Sequence, residues 1–148
     1  MSFKFYLATR VENWALANEV ADLLCTAGWV QTYRWAEHGD NGNIEGLDEG
    51  TRRKVAVREV DGVTDADVLV VLMPGGRGTH CELGMALGLG RPVFLWARNK
   101  KDLRAVDGKL TSFYSHPNVV VCICPEEELL KNLLAWGKQF RREEWTRL

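Results

Sequence analysis

The sequence predicts a doubly wound α/β domain built on a five-stranded parallel sheet, and three observations carry that expectation. The runs Val68 to Leu72, Pro92 to Trp96 and Val119 to Cys124 are apolar without alternation, as in strands covered by helices on both faces. Segments with helical spacing of apolar residues separate the strands. A glycine-rich stretch, Pro74 to Gly78, joins the third strand to a helix, as where such folds hold ligands.

Taken in order, Lys4 to Ala8 reads as a short buried strand. A helix follows from Glu12, with Trp14, Ala17, Ala21, Leu24 and Cys25 in phase until Gly28 stops it. Trp29 to Trp35 alternates and carries Val, Thr and Tyr, giving a second strand, and His38 to Asn43 is a polar, mobile loop. A charged helix spans Asp48 to Thr64 with Val55, Ala56, Val60 and Val63 on one side. After the third strand comes a helix over Thr79 to Leu89, then the fourth strand, a short fourth helix within Arg98 to Ser112 and the fifth strand. A terminal amphipathic helix runs from Pro125 to about Arg142, opened by Glu126-Glu127-Glu128. Right-handed crossovers make the flavodoxin-like order 2-1-3-4-5, with helices on both faces, the simplest topology.

The 148 residues fit a single domain, with 46% hydrophobic and 26% charged residues, and no composition shift divides them. A net charge of -1 argues against polymeric nucleic acid as a partner. No apolar run approaches a membrane span or secretory core, so a cytoplasmic protein without membrane contact is expected. Cys25, Cys81, Cys122 and Cys124 lack C-x-x-C pairing and read as free, mostly buried thiols. His38, His80 and His116 lack metal-ligand spacing, so neither metal nor cofactor is expected.

The topology places Ala8, Thr9 and Arg10 after the first strand and Pro74 to Glu82 after the third on opposite sides of one crevice. Gly75, Gly76 and Gly78 let the backbone approach a ligand, and the helix start beyond them favours an anionic group such as phosphate. Arg77 reads either as a contact to a 5'-phosphate or as an exposed loop arginine. Thr9, Arg10 and Thr79 complete the same pocket, each with a turn or capping role as its alternative. Trp35, just past the second strand, is a candidate for stacking on a base; Trp14, Trp96 and Trp136 read as core or helix-packing residues. Glu82 has two readings. In Thr79-x-x-Glu82 it caps the helix as a capping box, while at the mouth of a glycine-rich loop it suits a nucleophile for a sugar carbon.

Tyr6-Leu7-Ala8, Ala56-x-x-Glu59-Val60-x-Gly62-Val63 with Ala66-Asp67, Gly78-x-x-x-Glu82-Leu83-Gly84-x-Ala86 and Gly90-x-Pro92-Val93 together resemble the nucleoside 2-deoxyribosyltransferase family, across most of residues 4 to 124. The resemblance implies a flavodoxin-like fold and a glycosyl-enzyme ester formed when Glu82 attacks C1' of a nucleoside or nucleotide. It also implies that Tyr6 orients Glu82 and that Glu59, where the family commonly has Asp, protonates the leaving base. Burial would have to raise the Glu59 pKa for that role. The resemblance further implies a homodimer or higher homo-oligomer with shared active sites, the neighbour's contribution coming from around Lys109 to Ser112.

Pro74-Gly75-Gly76-x-Gly78-Thr79-x-x-Glu82 is also similar, locally, to the motif of the LOG-type nucleotide phosphoribohydrolases, which likewise implies N-glycosidic cleavage. A third reading, a nucleotide-binding module without chemistry, needs Glu82 to act only as a cap.

Overall fold

The computed structural model describes residues 3–146, and the side chains of residues 3–140. Five strands, β1 (Lys4–Ala8), β2 (Val30–Gln31), β3 (Val68–Leu72), β4 (Val93–Ala97) and β5 (Val119–Ile123), form one sheet. Its order is β2-β1-β3-β4-β5, and every pairing is parallel, as the apolar runs and crossover logic predict. Four α-helices follow the same order: α1 (Trp14–Thr26), α2 (Glu49–Asp65), α3 (Arg77–Gly88) and α4 (Glu126–Thr146). α1 packs with α4, and α2 with α3, so helices cover both faces.

β3 and β4 are buried at every position. Each large apolar side chain held there, Trp96 and Phe94 among them, contributes roughly 2–3 kcal/mol by leaving water. Trp136 packs on Phe94 with ring centroids 5.5 Å apart, and the Trp96 indole donates to Cys124 O at 3.0 Å.

Several expectations are corrected at the edges. β5 lies at the sheet margin, where Val120, Val121 and Ile123 are exposed; an apolar edge strand and a doubly covered one share the same composition. β2 is only two residues long, because the chain turns after Gln31 and enters a 3-10 turn at Trp35–Glu37. No α-helix forms within residues 98–112. Asn99 instead caps a 3-10 turn, Lys100–Asp102, by accepting from the Lys101 and Asp102 N–H groups, and Gly108 turns the chain at φ +78°. In α1, Trp14 and Cys25 face solvent, and Val20 joins Ala17, Ala21 and Leu24 inside. Cys81 is exposed too, so only Cys124 of the four thiols is fully buried. Among the described residues no helix is long and apolar enough to cross a membrane.

Candidate active site

Pairing of β1 with β3 sets Tyr6 beside Leu69 and Ala8 beside Val71, so the loops after both strands leave one edge of the sheet together. Thr9 ties them. Its hydroxyl donates to Leu72 O at 2.6 Å and accepts from Asn13 Nδ2 at 2.9 Å. Thr9 is buried and acts as a strut between strands, which corrects its expected place as a ligand contact. The sequence reading missed Asn13, whose only signal was its position four residues after Thr9.

The glycine-rich loop enters through a cis Met73–Pro74 peptide, and α3 begins at Arg77, two residues earlier than expected. Gly76 occupies the N-cap and donates its N–H to Thr79 Oγ1 at 2.9 Å. Thr79 thus closes the helix start, and the expected Thr79–Glu82 capping box is not formed. His80 supports the loop from behind. Its Nδ1 donates to Gly76 O at 2.7 Å, and its Nε2 accepts from the Tyr114 hydroxyl at 2.6 Å. That tautomer follows because Gly76 O can only accept. Burial pushes the Tyr114 phenol up to about 12, helped by the charge of Asp107.

Freed from capping, Glu82 turns its carboxyl inward. Oε2 is buried without a hydrogen-bond partner. Burial pushes the carboxyl up to about 8; the Tyr6 hydroxyl draws it down, and the nearby charge of Glu59 adds to the rise. Tyr6 is fully buried in β1. Its phenol is held far above the usual tyrosine range, first by burial and then by the charges of Glu82 and Glu59. It remains a donor at any physiological pH. Its oxygen faces Glu82 closely enough to act on it, without completing a bond of regular geometry.

α2 brings the second carboxylate. Asp48 caps the helix by accepting from Thr51 N, and the inward stripe is Val55, Glu59, Gly62 and Val63, spaced four, three and one residues apart. Ala56 and Val60, expected on that stripe, are exposed. Glu59 is half-buried, and burial raises its pKa. Gly62 lets the helix close on the sheet: a methyl group there would meet Tyr33 Cβ at 2.9 Å and the Tyr6 ring at 3.0 Å. Tyr33, absent from the expected site, joins it. Its hydroxyl is buried without a partner, and burial together with the charge of Glu59 raises its pKa.

Trp35 is corrected. It is buried, donates its indole N–H to Leu7 O at 2.8 Å, and has Gly42 packed on its ring, so no open face is left for a base. Ala8 is buried at the end of β1. Arg10, Gly75 and Gly76 line a cavity of about 340 Å³. Arg77 is exposed at the first turn of α3, while Gly78 stands beside Glu82 Oε1. A larger hollow is lined by Arg98 and Glu126, and another by Tyr33, Arg58 and Gly62 on the α2 side of the site; Glu82 lines neither. Among the described residues no group of three or more His, Cys, Asp or Glu side chains is placed to hold a metal.

A doubly wound parallel sheet with a buried, uncapped carboxylate at its switch point defines a flavodoxin-like protein with a crevice site. The chain belongs to the nucleoside 2-deoxyribosyltransferase family, whose pattern it matches over residues 5–134. Its fold is shared with the CMP N-glycosidase of Clostridium botulinum at 19% identity and a TM-score of 0.57, covering 88% of this chain and 97% of that one. A conserved protein from Enterococcus faecalis is similar at 19% identity and a TM-score of 0.54, over 88% and 96% of the two chains. A 2-deoxyribosyltransferase from Bacillus psychrosaccharolyticus is 22% identical over 66% of this chain and 74% of its own, with a TM-score of 0.48. No curated protein matches the sequence.

Proposed function

We propose that this enzyme cleaves the N-glycosidic bond of a (deoxy)nucleoside or its 5'-monophosphate through a glycosyl ester on Glu82. The observation that carries the proposal is the buried, unpartnered Oε2 of Glu82 beside Tyr6, with the helix start capped by Thr79 instead. In the first step the ionised carboxylate of Glu82 forms a bond to C1' while the C1'–N pair leaves with the base. Glu59, whose pKa burial raises, delivers the proton to the departing nitrogen. Water or a second base then attacks C1', Glu82 leaves as carboxylate, and the incoming group returns its proton to Glu59. Tyr6 positions Glu82 and stabilises its ionised form. Small nucleotide substrates and free thiols suit a cytoplasmic enzyme. Residues 109–112 are the stretch we assign to a neighbouring copy's site; Leu110 within it and Phe113 beside it are exposed apolar side chains.

The test is to incubate the protein with nucleosides and their 5'-monophosphates, follow free base by chromatography, and weigh acid-quenched protein. A mass gain equal to the sugar on the peptide carrying Glu82, absent from Glu82→Ala, supports the ester. Base release that persists in Glu82→Ala overturns the assignment.

A further inference from the structure

α3 begins with residues poorly suited to hold a helix end. Gly76 caps it and Gly78 lies in its first turn, and glycine loses the most conformational freedom on ordering. Helix ends fray where little ties them. Yet Gly78 stands beside Glu82 Oε1, and Glu82 Oε2 is buried, so a frayed first turn would open the carboxyl to water. The tie comes from the connection between β4 and β5. Tyr114, buried in the 3-10 turn Ser112–Ser115, donates its hydroxyl to His80 Nε2 at 2.6 Å, and His80 Nδ1 donates to Gly76 O at 2.7 Å. Gly76 O also accepts from His80 N, but at 3.3 Å, so the imidazole gives the shorter of its two bonds.

Gly75 packs on the same ring: a methyl group there would meet His80 Cε1 at 3.2 Å. Tyr114 is itself anchored. Its turn is closed by His116 N donating to Phe113 O at 3.2 Å, and Val119 N donates to His116 O at 2.8 Å where β5 begins. His80 and Glu82 are two positions apart, roughly 200° around the helix axis, so the Tyr114–His80 strut grips α3 on the face opposite the carboxyl. Neither side chain has a step in the reaction. We propose that Tyr114 and His80 are positioning residues for Glu82: together they hold the first turn of α3 closed, which keeps the carboxyl dry and aimed at the sugar carbon. The inference deepens the N-glycosidase reading and rests on it for the role of Glu82.

The experiment compares the wild type, Tyr114→Phe, His80→Asn and the double variant. Tyr114→Phe breaks the strut at one end; His80→Asn breaks the same bond from the other and keeps a donor for Gly76 O. Carbon NMR follows the titration of the Glu82 carboxyl, its signal identified by its loss in Glu82→Gln, and kcat and KM are measured on nucleosides and their 5'-monophosphates. The wild-type carboxyl titrates at about 8. An opened turn admits water, so the midpoint is expected to fall toward the ordinary carboxylate range in each variant; the other ionisable groups facing it, Tyr6 of β1 and Glu59 of α2, are unaltered. kcat is expected to fall about ten- to a hundredfold with KM little changed, and the double variant to lose no more than either single one, since all three break one strut. A Glu82 midpoint that is the same in all the folded proteins overturns the inference, and so do losses that multiply in the double variant. If the midpoint falls in the variants while the wild type turns over neither substrate class, the strut stands as the device that holds Glu82 and the N-glycosidase reading falls. Thermal midpoints establish which variants are folded, and either single variant suffices for the comparison.

Discussion

Gly62 of α2 lies against the ring of Tyr6 in β1, so close that a single methyl group at position 62 would stand 3.0 Å from two ring carbons. One helical turn earlier the same face of α2 carries Glu59, and the Tyr6 hydroxyl faces Glu82. The absence of a side chain at 62 therefore sets how closely α2, with Glu59, approaches Tyr6.

Gly62→Ala is expected to move α2 outward. The overpacking costs about 1–3 kcal/mol, offset by up to about 1 kcal/mol of helix propensity. Turnover is expected to fall much more than stability, since Glu59 shifts with its helix. Urea denaturation and base-release kinetics on the same preparation check both; full activity with normal stability would show that the close approach has no role in the site.

Glu82→Gln separates chemistry from stability. The folded carboxyl titrates at about 8, against the ordinary 4.5, so the folded chain holds a proton that the unfolded chain releases. Below about pH 4.5 both states are protonated and the glutamate carries no penalty. As pH rises from there toward 8 the penalty grows, reaching roughly a few kcal/mol, and above 8 it stays. The glutamine variant is expected to be inactive, and more thermostable than the parent at pH 8 by about 2–4 °C per kcal/mol relieved, with the difference vanishing near pH 4.5. Calorimetric scans across that range measure it.

Tyr6→Phe removes the group that favours the ionised form of Glu82. The carboxyl pKa then rises, so the acid limb of kcat/KM in the free enzyme moves to higher pH. The unpartnered hydroxyl makes no other bond to lose, and folding is expected to be intact. A pH–rate profile that does not move would place Tyr6 outside the titration of Glu82.

Glu59→Gln takes away the proposed proton donor. A loss of about 10²-fold or more is expected for ordinary bases, and a much smaller one for substrates whose base leaves readily without protonation. Equal losses on both substrate types would contradict the assignment.

How far the site could be read from the chain depended on the kind of signal each residue gave. β3 and β4 were legible because a fully covered strand needs apolar side chains on both faces. β5 looked the same, since Val120, Val121 and Ile123 keep that composition while lying exposed at an edge. Glu82 carried two meanings in sequence, nucleophile and cap, and only the Thr79–Gly76 bond showed that the cap was already taken. Glu59 came forward only through the family resemblance, because the apolar count put Ala56 and Val60 on the inner stripe; Gly62, a close-approach residue, is the signal that turns α2 the other way. Tyr33 had no local mark at all, because it comes to the site from a segment read as strand and is tied to Glu59 only through charge. Thr9 and Trp35 were expected at the ligand and instead hold the scaffold, each by a bond to a backbone carbonyl.

The pairing of β1 with β3 also ties catalysis to the folding order of the chain. That pairing is non-local: α1, β2 and α2 all lie between the two strands in sequence, and contacts of that kind form slowly compared with helices. An intermediate with its helices formed and β1 undocked holds Tyr6 away from Glu82 and has no complete crevice. During refolding, helical circular dichroism should therefore return before turnover does, and activity becomes a clock for the moment the central strands meet.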